Sequence, residues 1–194
     1  MALWGASDAD ESKPKNLTAT EKKEVYATDA GWVLRGGSAL TGCDNADATP
    51  ELLVAISGLA VSVGAADITN IDILTTSFSK AAGGTLSVRV TFNEEVDVTG
   101  TPQLELDNDT NSNHTLSYAS GTGTYRLLFT LTLGAGAAAT DADDVLSIGA
   151  NALSLNGGTI KDKGTNTAST ITNSAAIGTA AGTLTVCLLY TSPS

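Results

Sequence analysis

The residues best placed to do chemistry are acidic and lie in two polar segments. Asp107-Asn-Asp109-Thr-Asn111 offers side-chain oxygens at alternate positions, the spacing with which a loop can wrap a hard cation. Asp141, Asp143 and Asp144 form a second cluster. Calcium is the one cofactor these aspartates suggest, with Asp107, Asp109, Asp141, Asp143 and Asp144 as candidate ligands. The first segment is not an EF-hand, because its sixth position is Ser112 rather than Gly and its twelfth is Tyr118 rather than Glu. The competing reading is that both segments are solvated acidic loops that discourage edge-to-edge aggregation.

Catalytic patterns are missing. His114 is the only histidine, and it sits in Asn111-Ser-Asn-His-Thr115 with no Cys, His or Glu at ligand spacing. It reads as a solvated loop residue rather than a base or zinc ligand. No serine stands in a Gly-x-Ser-x-Gly elbow, and Gly121-Thr-Gly123 leads into Thr and Tyr rather than a helix start. Glu94 and Glu95 are adjacent, so a regular strand would turn them to opposite faces, where they could not act as a paired acid and base. The expectation is a non-enzyme.

The formal charge of −11 argues against nucleic acid and anionic membrane as partners. No apolar stretch is long enough to span a bilayer, and Met1-Ala-Leu-Trp-Gly5 lacks the basic and apolar regions of a signal peptide. Residues 187–194, Cys-Leu-Leu-Tyr-Thr-Ser-Pro-Ser, are the in-frame translation of a DNA-sequencing library adapter, so the expectation is a gene fragment cut near Val186. Setting Cys187 aside leaves Cys43 alone in a Gly/Asp loop, with no disulfide framework or thiolate metal site.

The elements that must position these residues fall into two compositional parts. Residues 1–66 are mixed. Ser7 to Lys15 reads as an extended arm, and Thr18-Ala-Thr-Glu21 has capping-box spacing that predicts a short helix through about Tyr26. Gly31 to Arg35 and Leu52 to Ile56 are strand candidates that could pair across the intervening loop; a buried helical turn is the alternative for these short apolar runs. Trp4, Trp32, Leu52, Val54 and Ile56 are apolar anchors beside a small core, a pattern that suggests an attachment surface.

From Asp67 onward the pattern has a period of two. Leu86, Val88, Val90 and Phe92 share one face, Leu104 and Leu106 repeat it, Leu116 and Tyr118 follow, and Tyr125, Leu127, Phe129, Leu131 and Leu133 make the longest run. Gly121-Thr-Gly123 and Asn156-Gly-Gly158 supply turns. Six or seven short strands with such turns predict a mainly β chain, an antiparallel two-sheet sandwich over residues 67–186 behind a smaller mixed segment.

Three stretches carry a resemblance: Val90 to Leu106, Tyr118 to Thr130 and Ile148 to Asp162. In this order they resemble the Ig-like repeat modules of bacterial adhesins and surface proteins. The resemblance implies an Ig-like fold with a spacer, adhesion or display role, and Asp107 to His114 departs from it as an insertion. Met1 to Gly5, Ser12 to Lys15, Val25 to Trp32 and Glu51 to Ile56 resemble the start of virion structural proteins of marine T4-like tailed phages. That resemblance implies a virion-attachment segment over residues 1–66, other virion proteins as partners, and a place on the virion surface. Host surface polysaccharide or protein is the ligand it suggests for the displayed module. The alternative is a fragment of a bacterial adhesin, cell-surface or secreted, with Ig-like spacers. The three Asn-x-Thr sequons at Asn16, Asn108 and Asn113 are idle in either setting.

Overall fold

A computed structural model describes residues 13–14, 16–41 and 45–188. The chain is mainly β; its described residues form a large mixed sheet with three short α-helices and a 3-10 turn attached.

The capping box forms as its spacing predicts. The Thr18 hydroxyl accepts from the Glu21 N–H and the Glu21 carboxylate accepts from the Thr18 N–H, closing helix α1 (Ala19–Lys22). The helix is shorter than expected. It stops at Lys22 instead of continuing to Tyr26, because Val25–Thr28 is strand β1, hairpinned to β2 (Gly31–Leu34). One turn of helix offers Val25, Tyr26 and Ala27 nothing to pack against, whereas the hairpin buries all three. Gly31 is required there: its φ is +135°, and a Cβ would fall 2.0 Å from the Val54 carbonyl oxygen. The expected pairing across the loop is present, with β2 antiparallel to β3 (Glu51–Ala55). A one-turn helix α2 (Leu59–Ser62) closes this part.

The remaining strands are β4 (Ile68–Ile73), β5 (Phe78–Ser79), β6 (Gly84–Thr99), β7 (Gln103–Asn108), β8 (His114–Ser120), β9 (Thr124–Leu133), β10 (Val145–Ser147), β11 (Leu153–Ser154), β12 (Thr159–Asp162) and β13 (Leu184–Cys187), with helix α3 (Ala175–Ala180) before β13. The hydrogen-bonded path runs β3-β2-β1-β6-β9-β8-β7-β10-β13-β5, and β11 joins β7 while β4 and β12 join β6. Two pairings are parallel, β1 with β6 and β13 with β5, and the others are antiparallel.

β6 organises this sheet. It pairs with β9 from Gly84 to Thr91, with β12 from Val96 to Thr99, and with β1 at Glu94. The alternating residues Leu86, Val88, Val90, Phe92, Leu104, Leu106, Leu116, Leu127 and Phe129 all enter one core, each at most 1% exposed. Burying each such side chain contributes roughly 1.5–3 kcal/mol. The β8–β9 turn depends on Gly121, whose φ is +115° and whose Cβ position would meet the Arg126 carbonyl oxygen.

A second, smaller core holds Val25, Ala27, Trp32, Leu34 and Leu59, with Val54 and Ile56 packed against it. Strand β1 of the smaller core pairs with β6 of the larger one. β13 buries Leu184 and Val186 in the larger core, while Cys187 adds one backbone pair with Ser79 and leaves its side chain exposed. Residues 189–194 lie outside the described part, as do Trp4 and Cys43.

Candidate functional site

A cavity of about 440 Å³ opens beside the seam between β1 and β6. Thr28, Asp29 and Ala30 from the β1–β2 turn, Ala60 of α2, Glu94 and Glu95 of β6, and Lys163 and Gly164 after β12 line it. Both glutamates line this cavity, Glu94 buried and Glu95 partly exposed. The β6–β9 register shifts between Thr91 and Val96, beside this pair. Val90 through Glu94 are consecutively buried.

The two carboxyls have opposite environments. Glu95 is partly exposed and takes an ion pair from Lys163 at 2.8 Å, and Lys163 Nζ also donates to the Gly123 carbonyl oxygen. Glu94 is 1% exposed, and neither of its oxygens has a hydrogen-bonding donor. Asp162 is fully buried beside it; its Oδ1 accepts from the Thr165 N–H at 2.7 Å, and its Oδ2 has no donor. Burial first, then the charge and hydrogen bond of Asp162, then Asp67 and Asp29, push the Glu94 carboxyl up to about 9. Glu94 is therefore neutral near pH 7.

The calcium candidates follow a different course. The fold brings the two acidic loops together, and amide and hydroxyl donors fill the carboxylates. Asp144 is 1% exposed; it accepts from the Asp141 N–H at 2.7 Å, Asn108 Nδ2 at 2.8 Å, Asn111 Nδ2 at 3.1 Å and the Thr110 hydroxyl. Burial would raise this carboxyl, but those donors outweigh it and hold it at about 2. Asp141 pairs with Lys80 and Asn111, Asp109 accepts from the Val145 N–H at 2.8 Å, and Asp107 accepts from Asn113 at 3.0 Å. Asp143 is exposed in a left-handed conformation, with φ of 71°. Among the described residues, no three Asp, Glu, His or Cys side chains converge closely enough to hold a metal ion.

His114 is a correction. It opens β8, is 3% exposed, and its Nε2 lies 3.3 Å from the Thr140 hydroxyl. Burial lowers its basicity, with Asp144 opposing. The β7–β8 pairing of Leu106 with His114 buries the residue, and its polar neighbours in sequence concealed that pairing.

The attachment candidates separate. Trp32, at 1% exposure, belongs to the small core rather than to a surface, and Val54 and Ile56 pack against that core. Of the described candidates Leu52 is exposed, at 48%, as is Leu53 of the same run; Leu40 and Val61, which nothing in their spacing singled out, are exposed as well. Leu52 and Leu53 both lie on β3, an edge strand, where successive side chains leave opposite faces.

A second cleft, about 640 Å³, gathers Lys13, Lys22 and Lys23 over Ile68, Ile177 and Ala180. Lys13 is buried and donates to the Lys22 carbonyl oxygen at 2.7 Å; burial, then Arg126 and Lys22, bring its ammonium down to about 8.

Comparison with protein-family models, curated proteins and solved structures finds no match to this chain.

Proposed function

We propose that this chain is a non-catalytic structural or decoration protein of a phage virion. Residues 1–66 attach it to other virion proteins, and residues 67–186, read as an Ig-like sandwich, are displayed at the virion surface for weak adhesion to host polysaccharide or protein. The observation that carries this reading is the placement of exposed apolar side chains. Among the described residues, four of the six large exposed hydrophobics, Leu40, Leu52, Leu53 and Val61, lie between positions 40 and 61. Leu52 and Leu53 lie on β3, which among the described residues is an edge of the sheet. An edge with apolar flanks is what strand addition by a partner uses. The rest of the chain, with Leu74 and Leu188 as its exposed large hydrophobics among the described residues, gathers most of its large apolar residues in the large core, and acidic loops flank them, which suits a display surface.

The test is co-sedimentation of the full chain with purified tailed-phage particles, wild type against Leu52→Ser/Leu53→Ser. Wild type is expected to pellet with particles and the double variant to stay in the supernatant. Equal sedimentation of both would remove the assigned surface. Binding of wild type to bacterial envelopes and not to particles would replace the virion reading with the adhesin one.

A further inference from the structure

We infer that Glu94 and Asp162 share one proton across the seam of the fold, and that this proton is a pH-sensitive latch holding strand β1 against β6. Glu94 is the residue of β6 that pairs with Ala27 of β1, and Asp162 is the last residue of β12, paired with Val96 two positions along β6. Their side chains meet in the interior, where, among the described residues, three carboxyl oxygens, both of Glu94 and Oδ2 of Asp162, have no donor. Two buried acceptors cannot face each other unless one carries a hydrogen.

The proton belongs on Glu94. Asp162 already accepts the Thr165 N–H through Oδ1, and its own N–H donates to the Thr167 carbonyl oxygen, so its carboxylate fixes the turn after β12. The acidic neighbours oppose ionisation of Glu94: Asp162 from β12, Asp67 from the segment before β4, and Asp29 from the β1–β2 turn. The nearby cation, Lys163, is engaged by Glu95 and the Gly123 carbonyl. Loss of the Glu94 proton to hydroxide would leave two adjacent buried anions, which are relieved by admitting water from the adjoining cavity at the position where β1 is joined. The acid's folded value is raised above its ordinary one. The seam is therefore most stable in acid, weakens as pH rises above the ordinary range near 4.5, and loses the contribution through about 9.

The experiment is amide hydrogen exchange on the full chain across neutral to alkaline pH, corrected for intrinsic exchange, for wild type and Glu94→Gln. Gln keeps a donor toward Asp162 and cannot ionise. Wild-type protection at Tyr26 and Ala27 is expected to fall about tenfold per pH unit relative to the variant, with β9 amides unchanged. Should Glu94→Gln fail to fold, the carboxyl carbon shift of Glu94 in the wild type gives the same answer: titration in the alkaline range supports the latch. Titration of Glu94 in the ordinary carboxylate range, or the same pH dependence in both proteins, overturns it. Protection of wild type but not Glu94→Gln by calcium chloride at neutral pH would show that the pair holds a cation instead, and would overturn it too.

Discussion

Tyr26 of β1 lies flat against Tyr125 of β9, with ring centroids 4.3 Å apart and planes 11° from parallel. The stack joins the small hairpin to the large sheet, and Arg126 reinforces it by donating to Glu24 and to the Lys23 carbonyl oxygen, both at 2.8 Å. Tyr26→Ala is expected to cost about 3 kcal/mol in denaturant unfolding, the scale of removing a buried aromatic ring. Tyr125→Phe is expected to change stability little or to raise it, because the buried Tyr125 hydroxyl has no hydrogen-bond partner.

Trp32 is a core residue, and its substitution tests that assignment. Trp32→Ala is expected to destabilise by about 3–5 kcal/mol and to release the hairpin, seen as early protease cleavage within residues 25–55. Leu52→Ser, at an exposed position, should change stability by no more than about 0.5 kcal/mol. Equal effects at the two sites would contradict the separation of core from surface.

Asp144 ties the two acidic loops together. Asp144→Ala is expected to cost about 2–3 kcal/mol, since it strands the buried amide of Asn108 and the N–H of Asp141. The carboxyl is lowered in the folded state from its ordinary 3.8 to about 2. Its contribution is therefore complete above about 3.8 and lost as pH falls through about 2, and acid titration of the variant should lack that component of the wild-type curve.

Chelation is informative because the loop carboxylates are already occupied by protein donors. A chelator is expected to leave the melting temperature unchanged, and millimolar calcium to have no effect that depends on Asp107, Asp109 or Asp141. A calcium-dependent rise that Asp141→Asn abolishes would return these loops to the role their spacing suggested.

The end of the chain divides at Val186. Stopping after Val186 removes the Cys187–Ser79 backbone pair and is expected to cost about 1 kcal/mol or less. Val186→Asp, which places a carboxylate in the core, should prevent cooperative folding, as monitored by circular dichroism.

Much of this arrangement was legible in the residues alone. Period-two runs from Leu86 to Phe92 and from Tyr125 to Leu133 mark buried strand faces, because successive side chains on a strand must alternate. Thr18 and Glu21 mark a helix start, because their side chains reach only the backbone of that one turn. These are local properties, decided within a few residues. Tertiary structure decided the rest. Val25 to Thr28 became a strand because β2 and β6 were there to pair with it. Trp32 went inward because Val25, Leu34 and Leu59 formed a second core around it. His114 was buried by its partner strand, and the calcium-like loops were satisfied by amides that are distant in sequence. The Glu94–Asp162 pair joins residues of different strands at an irregularity in β6, and nothing in the spacing of either residue announces it. Alternation and capping are set by backbone geometry and so appear in the sequence; burial and protonation depend on neighbours brought together by folding, and only the tertiary structure supplies those.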